Sequence, residues 1–594
     1  MPGRAQEKPD DWFETRMRLQ DEYFESDLAH AGISDHSDDD DDPDGVLADA
    51  RWDKIDALIS ANPAEAVRRW RQLWEKRARG EKNKDLKELS DHIAGFAELE
   101  EYTGPDDVSG TDEVGRRMRT FRDLYRAGLC EVCTLIVQED DFFKERENWV
   151  REIIRIVGAV IQWGGTIETE DLGNWSGLPA IIKLARATCT TAWANRERLL
   201  QNERSNAYGS HNHLRMSVAQ VLFEIFLLTD EKATYRTQVW KLKVDVRRLA
   251  FYVWIVGSPP NELNRAILGR DMIVPPGLAD TLLSNVLTTF IEDPDDPRER
   301  NHDSRLDDFI RQEILEVYGA EQFLTRINAS LREAQLGIRL ESILSSLSEF
   351  AVFPSITPHL QTYGTYLAIR EACNRQALQG TQEIDNCRVL ANALWIYRRT
   401  FTHQPPSEIA YIVKNCNVIE LIARYVRLYA LLGHEMATTG TDASKPLLIV
   451  MMYGNFAVAT NMRSGKNTLR KTMRNTLRQD WYPTLHVLHS QRDDKLWRGK
   501  YRKHLADLTE VWTALGTAIA LEEETEKRDY ERELKRWSMV CAWKECKYHN
   551  EKPPTPLNHC KGCREVKYCS LACQKKDWRE GEHKARCRKI TSSA

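Results

Sequence analysis

Cys560–Trp578 reads CKGCREVKYCSLACQKKDW, and the first fourteen residues of this stretch contain four cysteines. Three more cysteines and one histidine flank it, which gives the pattern Cys541-x4-Cys546-x13-Cys560-x2-Cys563-x5-Cys569-x3-Cys573-x9-His583-x3-Cys587. Eight candidate ligands in four pairs suit two four-coordinate metal sites. The pattern therefore predicts that the C-terminal segment folds around two metal ions.

Zinc is the metal that this donor set favours. Thiolates together with one imidazole select zinc over harder cations, and four protein ligands per ion leave no open position for catalysis. Structural zinc supplies about 10–16 kcal/mol of apparent folding free energy to segments too small to build a core of their own. We therefore predict two Zn²⁺ ions with a structural role. No Ser/His/Asp or paired-carboxylate grouping stands out in the sequence, so we predict no catalytic residue.

The N-terminal sequence and the length of the apolar runs indicate the cellular compartment in which we expect the protein. The opening MPGRAQEKPDDWFE lacks the apolar core of a signal peptide, so we expect a cytoplasmic or nuclear protein. In such reducing compartments clustered cysteines bind metal more often than they form disulfides. No apolar run reaches the ~18 residues that span a bilayer, so we expect no contact with a membrane.

Acidic and basic residues are unevenly distributed. Residues 1–50 contain sixteen acids and four bases, whereas the whole chain has a net charge of −6. Residues 541–594 contain thirteen bases and six acids. This basic segment has no evident recognition helix with base-reading residues, so we do not expect it to bind nucleic acid.

The cysteine-rich segment resembles a MYND zinc finger. The motifs that carry the resemblance lie in register with the candidate ligands and are Tyr568-Cys569-Ser570, Cys573-Gln574, Asp577-Trp578 and His583-Lys584. In that family the ligand pairs interleave. The resemblance implies one zinc site formed by Cys541, Cys546, Cys569 and Cys573, and a second formed by Cys560, Cys563, His583 and Cys587.

The first ligand pair departs from the family pattern. It is Cys-x4-Cys where the family usually has Cys-x2-Cys, and the loop to the second pair is long. His549 and His559 lie close enough in sequence to be substitute ligands. Their alternative role is that of ordinary loop histidines.

MYND fingers are protein-interaction modules, and the resemblance implies that this one binds proline-rich peptides of the PxLxP type. The groove residues that carry over are Gln574 and Trp578. An exposed indole offers a flat platform for a proline ring, and an amide side chain pairs with extended backbone that lacks internal hydrogen bonds. The alternative role of Trp578 is to fill the small core between the two zinc sites, and the two roles are compatible.

The sequence before the finger predicts an all-α fold. Apolar residues recur at three- and four-residue steps from about Asp49 to Gly440, and alternating strand patterns are scarce. A small residue repeatedly opens a short helix, at Gly177, Gly319, Gly364 and Asn417. The last three are spaced near the period of armadillo and HEAT repeats, so we predict an irregular armadillo-like array with a surface for a partner protein. An irregular helical domain is the alternative.

Composition then divides the chain into five parts. Residues 1–48 are an acidic, largely disordered segment, 49–440 the helical array, 441–540 a helical extension, 541–587 the finger and 588–594 a tail. The extension contains a basic helix and then an amphipathic helix with its apolar stripe at Leu505, Leu508, Trp512, Leu515 and Ile519. We expect this stripe to pack within the chain, and a helix continuing to Trp537 would hold the finger rigidly.

These observations favour an adaptor over an enzyme. The array would bind one partner and the finger would recruit another, and fungal proteins of this layout act in ubiquitin-ligase complexes. A nuclear transcriptional corepressor is the alternative among binding proteins. Some MYND proteins are SET-domain lysine methyltransferases, but the Asn-His-Ser-Cys segment that binds their methyl donor has no match here, so we expect no enzymatic activity.

Overall fold

The computed structural model describes residues 54–77, 83–96, 111–145, 147–166, 177–201, 214–228, 235–257, 278–291, 302–334, 336–380, 382–403, 406–438, 450, 468–492, 500–537, 539–564, 566–581, 583 and 587. The chain separates into two compact units, Met1–Ala61 and Asn62–Ala594. Within the first unit the described residues form helix α1 at 54–61. The predicted acidic segment at 1–48 and the tail at 588–594 lie outside the described residues, and the predicted five-part division stays a prediction.

The second unit begins with helices up to residue 291. These helices are α2 (Pro63–Lys76), α3 (Lys84–Gly95), α4 (Thr111–Arg126), α5 (Leu129–Val137), α6 (Glu147–Thr166), α7 (Leu178–Ala194), α8 (Arg198–Gln201), α9 (Leu214–Leu227), α10 (Arg236–Ile255) and α11 (Leu278–Ile291). A short 3-10 helix, Phe142–Lys144, lies between α5 and α6.

Helices continue up to the finger. They are α12 (His302–Phe309), α13 (Gly319–Glu333), α14 (Ile338–Phe350), α15 (Thr357–Thr362), α16 (Thr365–Gln379), α17 (Glu383–His403), α18 (Pro406–Asn415), α19 (Val418–Thr438), α20 (Thr468–Arg492), α21 (Lys500–Ala518) and α22 (Glu523–Trp537). A π-helical segment, Ile310–Leu315, follows α12 directly. The described chain before the finger is therefore all-α, as the sequence predicted.

Apart from the short α8, α12 and α15, the helices from α5 to α17 alternate between two rows, and α19 and α20 extend the first row. In one row α3, α6, α9, α11, α14, α17, α19 and α20 each contact the next member, and in the other α5, α7, α10, α13 and α16 do the same. Cross-row contacts such as α10 with α11 and α16 with α17 close the core between the rows. This order is typical of stacked helical repeats, and the assignment to the armadillo or HEAT class stays a prediction.

Three of the four small residues that open helices share a left-handed conformation. Gly319, Gly364 and Asn417 all have positive φ, at 78°, 72° and 47°, whereas Gly177 has an ordinary φ of −83°. Gly364 is the N-cap of α16, and Asn417 precedes α19 directly. A left-handed residue reverses the chain sharply between two helices, and glycine and asparagine adopt it at least cost. The recurring small residue is thus explained by the turn between helices.

A buried cluster of ion pairs connects α16 with α19. On α19, the Glu420 carboxylate lies 2.5 Å from a guanidinium nitrogen of Arg370 on α16 and 2.8 Å from one of Arg424. Burial alone would raise the pKa of Glu420, but Arg424 and Arg370 outweigh this effect and lower the pKa to about 2. The carboxylate is therefore ionised and paired in the folded chain.

The extension between the array and the finger packs within the chain. The predicted apolar stripe of α21 is buried, and the indoles of Trp481 on α20 and Trp512 on α21 each donate a hydrogen bond of 3.0 Å to the other's backbone carbonyl. A Cβ on Gly516 would overlap the Trp481 ring, which explains a glycine at this contact. The helix does not continue unbroken to Trp537, because Ala520 has a φ of 63° between α21 and α22.

The basic helix of the extension corresponds to α20. Arg478 pairs with Glu526 at 3.0 Å and with Asp529 at 2.8 Å, both on α22. This part of the basic surface therefore has an acidic partner within the chain. The predicted basic helix also included Arg463 and Lys466, which lie outside the described residues.

Candidate metal centre

The finger is a small fold made of a hairpin and one helix. Strands β1 (Asn558–His559) and β2 (Lys567–Tyr568) pair antiparallel, and helix α23 (Leu571–Arg579) follows. Ser570 caps α23, because its hydroxyl accepts a hydrogen bond of 3.2 Å from the Cys573 backbone nitrogen. The buried cluster of the finger consists of Cys541, Trp543, Cys560, Cys563 and Tyr568. Three of these five residues are candidate ligands, so the finger has little core apart from its metal sites.

The eight candidate ligands form two groups. In each group the potential ligand atoms all lie within 4.8 Å of one another, and the groups are Cys541, Cys546, Cys569 and Cys573, and Cys560, Cys563, His583 and Cys587. This is the interleaved pairing that the family resemblance implied. Residues distant in sequence are thus brought together twice, and each group supplies four donors.

The distances within the groups fit zinc. The Cys569 sulfur lies 3.5 Å from the sulfurs of Cys546 and Cys573. In the second group the Cys560 and Cys587 sulfurs are 3.7 Å apart, and His583 Nε2 lies 3.4 Å from the Cys560 sulfur. Tetrahedral zinc with bonds of about 2.3 Å to sulfur places its ligand atoms roughly 3.8 Å apart. The donor sets and their spacing therefore fit two zinc ions, the first held by four cysteines and the second by three cysteines and a histidine.

The titration behaviour of these groups explains why a cation is needed. Burial raises the pKa of Cys541 and raises that of Cys569 to about 11, while Cys563 and burial raise that of Cys587. Without a metal such thiols hold their protons at neutral pH. A bound divalent cation supplies the charge that stabilises the thiolates.

His549 and His559 are not members of either group. Nδ1 of His549 donates to the Cys541 carbonyl at 2.9 Å, and Nδ1 of His559 donates to the Arg564 carbonyl at 3.0 Å. Both rings therefore hold loop backbone next to a ligand. This arrangement corrects the alternative in which they replace a cysteine.

The unusual Cys-x4-Cys start forms a compact turn. The Cys546 backbone nitrogen donates to the Trp543 carbonyl at 3.0 Å, and the Trp543 side chain is buried. A Cβ on Gly581 would lie 2.9 Å from the Trp543 ring. The two additional residues thus position a tryptophan in the finger core and still bring Cys541 and Cys546 into one group.

A tyrosine–carboxylate contact fixes α23 on the hairpin. The Tyr568 hydroxyl donates to Asp577 at 2.8 Å, and both side chains are buried. This contact, together with the ligand Cys573, orients one face of α23 inward. The sequence motif contained both residues, but their nine-residue separation gave no signal of the bond.

The side of α23 that lies about 100° round from the inward face carries the predicted peptide-binding residues. Gln574 and Trp578 are both partly exposed, and the Trp578 ring lies 5.9 Å from the His583 ring in an edge-on arrangement. The indole therefore contacts a metal ligand on one side and retains an accessible part. Leu571, which we did not single out in the sequence, is 64% exposed on the same helix. Its spacing from Gln574 and Trp578, at i+3 and i+7, was the available signal.

Comparison with known proteins agrees with this assignment of the C-terminal segment. Residues 541–587 match the model of the MYND finger family. No curated protein matches the chain. A crystal structure of an engineered protein aligns over 75% of this chain and 99% of that chain, with 11% identity and a TM-score of 0.26. Such a low TM-score does not establish a shared fold.

The family match and the two ligand groups identify the finger as a zinc-binding protein-interaction domain. Among the helices in the described residues, none is long and apolar enough to cross a membrane.

Proposed function

We propose that this chain is a non-enzymatic adaptor in which a helical scaffold carries a zinc-dependent peptide-binding finger. The observation that carries the proposal is the pair of complete four-donor sites in a finger that follows a long series of packed helices. Each zinc has four protein ligands, so neither keeps an open position for substrate. The zinc ions hold α23 in place and do not take part in a reaction.

The peptide ligand is a proline-rich segment of the PxLxP type. Gln574 and Trp578 lie on one side of α23, and the inward side is held by Cys573 and by the Tyr568–Asp577 bond. A rigid, partly exposed indole binds a proline ring at low entropic cost, because the ring and the polyproline backbone are both preorganised. This arrangement supports Gln574 and Trp578 as the contact residues.

The test is peptide binding by the full chain. We expect a fluorescein-labelled Pro-x-Leu-x-Pro peptide to bind the zinc-loaded protein, and Trp578→Ala to weaken binding at least tenfold while both zinc ions are retained. Lys547→Ala is the control, since Lys547 is an exposed residue of the finger that lies outside α23, and it should leave the affinity unchanged. Equal affinity of wild type and Trp578→Ala for the peptide would refute this binding site.

The second partner binds the helical array, and the complex that we propose is a ubiquitin ligase in the cytoplasm or nucleus. Proximity labelling from the full chain should recover ligase subunits, and deletion should slow the turnover of a labelled protein. Recovery of chromatin-bound transcription factors without ligase subunits would favour the corepressor alternative. Binding of S-adenosylmethionine to the purified chain would contradict the non-enzymatic assignment.

A further inference from the structure

An exposed apolar side chain stands at the start of the finger helix. Leu571 is 64% exposed, the largest fraction among the exposed large hydrophobic residues of the described chain. Exposing a leucine on a small, rigid, zinc-held helix leaves apolar area in water that a partner could cover. The residues exposed next to Leu571 determine the chemical character of the partner that would bind there.

The helical geometry places Leu571 beside the proposed groove. At about 100° per residue, Cys573 and Asp577 face the hairpin, and Gln574, Trp578, Leu571 and Lys575 form a continuous strip on another side. Leu571 and Trp578 are separated by roughly 10 Å along the axis, which an extended proline-rich peptide covers in about three residues. When Trp578 contacts the proline at the end of the Pro-x-Leu-x-Pro core that is nearer to Leu571, Leu571 meets a residue just outside this core.

The charge along this strip has one sign. Lys575 and Arg579 are exposed on the side of Leu571, and Lys576 is exposed on the far side of the helix. The single acid of α23 is Asp577, which is buried and accepts the Tyr568 hydrogen bond. An acidic side chain next to an apolar one would complement Lys575 and Leu571 together.

We propose that Leu571 and Lys575 extend the peptide groove, so that the finger prefers a proline-rich peptide flanked by an apolar and an acidic residue. This inference rests on the proposed function and specifies its ligand. Leu571 contributes affinity by apolar burial, and Lys575 contributes selectivity by charge.

The experiment compares three labelled peptides on the zinc-loaded full chain by fluorescence anisotropy. All three contain the core Pro-Ala-Leu-Ala-Pro. The first peptide has Ser-Ser on both sides of the core, the second has Leu-Glu on both sides and the third has Leu-Lys on both sides. We expect the Leu-Glu peptide to bind about tenfold more tightly than the Ser-Ser peptide. Leu571→Ser should remove most of this gain, and Lys575→Glu should reverse the preference towards the Leu-Lys peptide.

The control variant is Lys576→Glu, which makes the same charge change on the far side of the same helix and should leave the preference unchanged. Equal affinity of wild type for all three peptides, with binding still lost in Trp578→Ala, would overturn the extension and leave the proposed function standing. If none of the peptides binds wild type, the proposed function itself fails. Zinc content measured for each variant separates lost contacts from a lost fold.

Discussion

Single hydrogen bonds matter in the finger because its core is so small. Tyr568 and Asp577 form a buried bond between the hairpin and α23. Tyr568→Phe would leave a buried carboxylate without this donor, which costs about 1–3 kcal/mol. Since folding and metal binding are coupled, zinc affinity should fall by roughly ten- to hundredfold.

Zinc competition with a chromophoric chelator would measure this effect. Tyr548→Phe is the control, since Tyr548 is a partly exposed tyrosine in the same finger. Zinc affinities that are the same for Tyr568→Phe and Tyr548→Phe would show that the buried bond does not stabilise the finger.

The buried carboxylate of Glu420 makes the array sensitive to acid. Its folded pKa is about 2, below the ordinary value of 4.5. Its pairing therefore stabilises the fold fully above pH 4.5, and this stabilisation is lost as pH falls from 4.5 towards 2. Glu420→Gln should lower the free energy of unfolding by about 3 kcal/mol at pH 7, and by progressively less below pH 4.5.

Urea unfolding followed by circular dichroism at pH 7 and pH 3.5 would measure this difference. Glu371→Gln is the control, because Glu371 is 65% exposed and lies 3.9 Å from Arg332. The control should change stability by less than about 1 kcal/mol at both pH values. A Glu420→Gln effect equal at both values would contradict the assigned ionisation.

Residue-level prediction from sequence succeeded where the chemistry is local. Cysteine spacing indicated the eight ligands, since metal coordination restricts both residue type and separation. The pairing into two groups required the family resemblance, because spacing alone is compatible with several connectivities. The Tyr568–Asp577 bond had no signature in the sequence, since ordinary residue types form it through tertiary packing.

At the scale of the elements, the start of a helix is where conformation constrains sequence most. Gly364 has a φ of 72°, and a Cβ there would meet nothing within 4 Å. Gly364→Ala should therefore lose about 1–2 kcal/mol of stability from backbone strain alone. Gly95 also has open space and lacks positive φ, so Gly95→Ala should be neutral or slightly stabilising.

Chemical denaturation of both variants beside wild type would measure the difference. An equal effect of the two substitutions would mean that the left-handed turn before α16 relaxes without cost. The positive φ at Gly319, Gly364 and Asn417 also explains why the sequence showed small residues at these places. The spacing of these small residues indicated helix pairs. The break at Ala520 had no such signal in the sequence, because alanine is a good helix former.

At the scale of the whole molecule, removal of zinc should affect the finger and not the helical array. The ligands all lie in residues 541–587, whereas the six cysteines of the array are buried. Burial raises the pKa of Cys130 to about 12 and also raises the pKa of Cys133, so both thiols hold their protons at neutral pH. Chelation should remove two zinc ions and leave the helical circular dichroism almost unchanged.

Thiol titration after chelation would count the exposed cysteines. We expect seven thiols to become reactive, those of the finger, and the six of the array to stay protected until the chain is denatured. Cys563→Ser should bind one zinc fewer than wild type. Loss of most helical signal on chelation would mean that the finger stabilises the array.

The global order of the helices could be predicted only in outline. Helical periodicity indicated an all-α chain, because burial of one face imposes a 3.6-residue pattern on each helix. The two-row arrangement depends on contacts between distant helices, such as the Glu420–Arg370 pair across fifty residues. Such contacts involve common residue types and leave no local pattern.

The reciprocal indole bonds between Trp481 and Trp512 fix the register of α20 against α21. Each helix supplies one indole donor and one carbonyl acceptor. A shift of one helix by one residue, about 1.5 Å along the axis, would therefore break both hydrogen bonds together. The two bonds therefore favour one register of α20 against α21. An insertion between Trp481 and Arg492 in α20, or between Lys500 and Trp512 in α21, should disturb this register, whereas an insertion between residues 492 and 500 lies outside both helices and should leave both bonds in place.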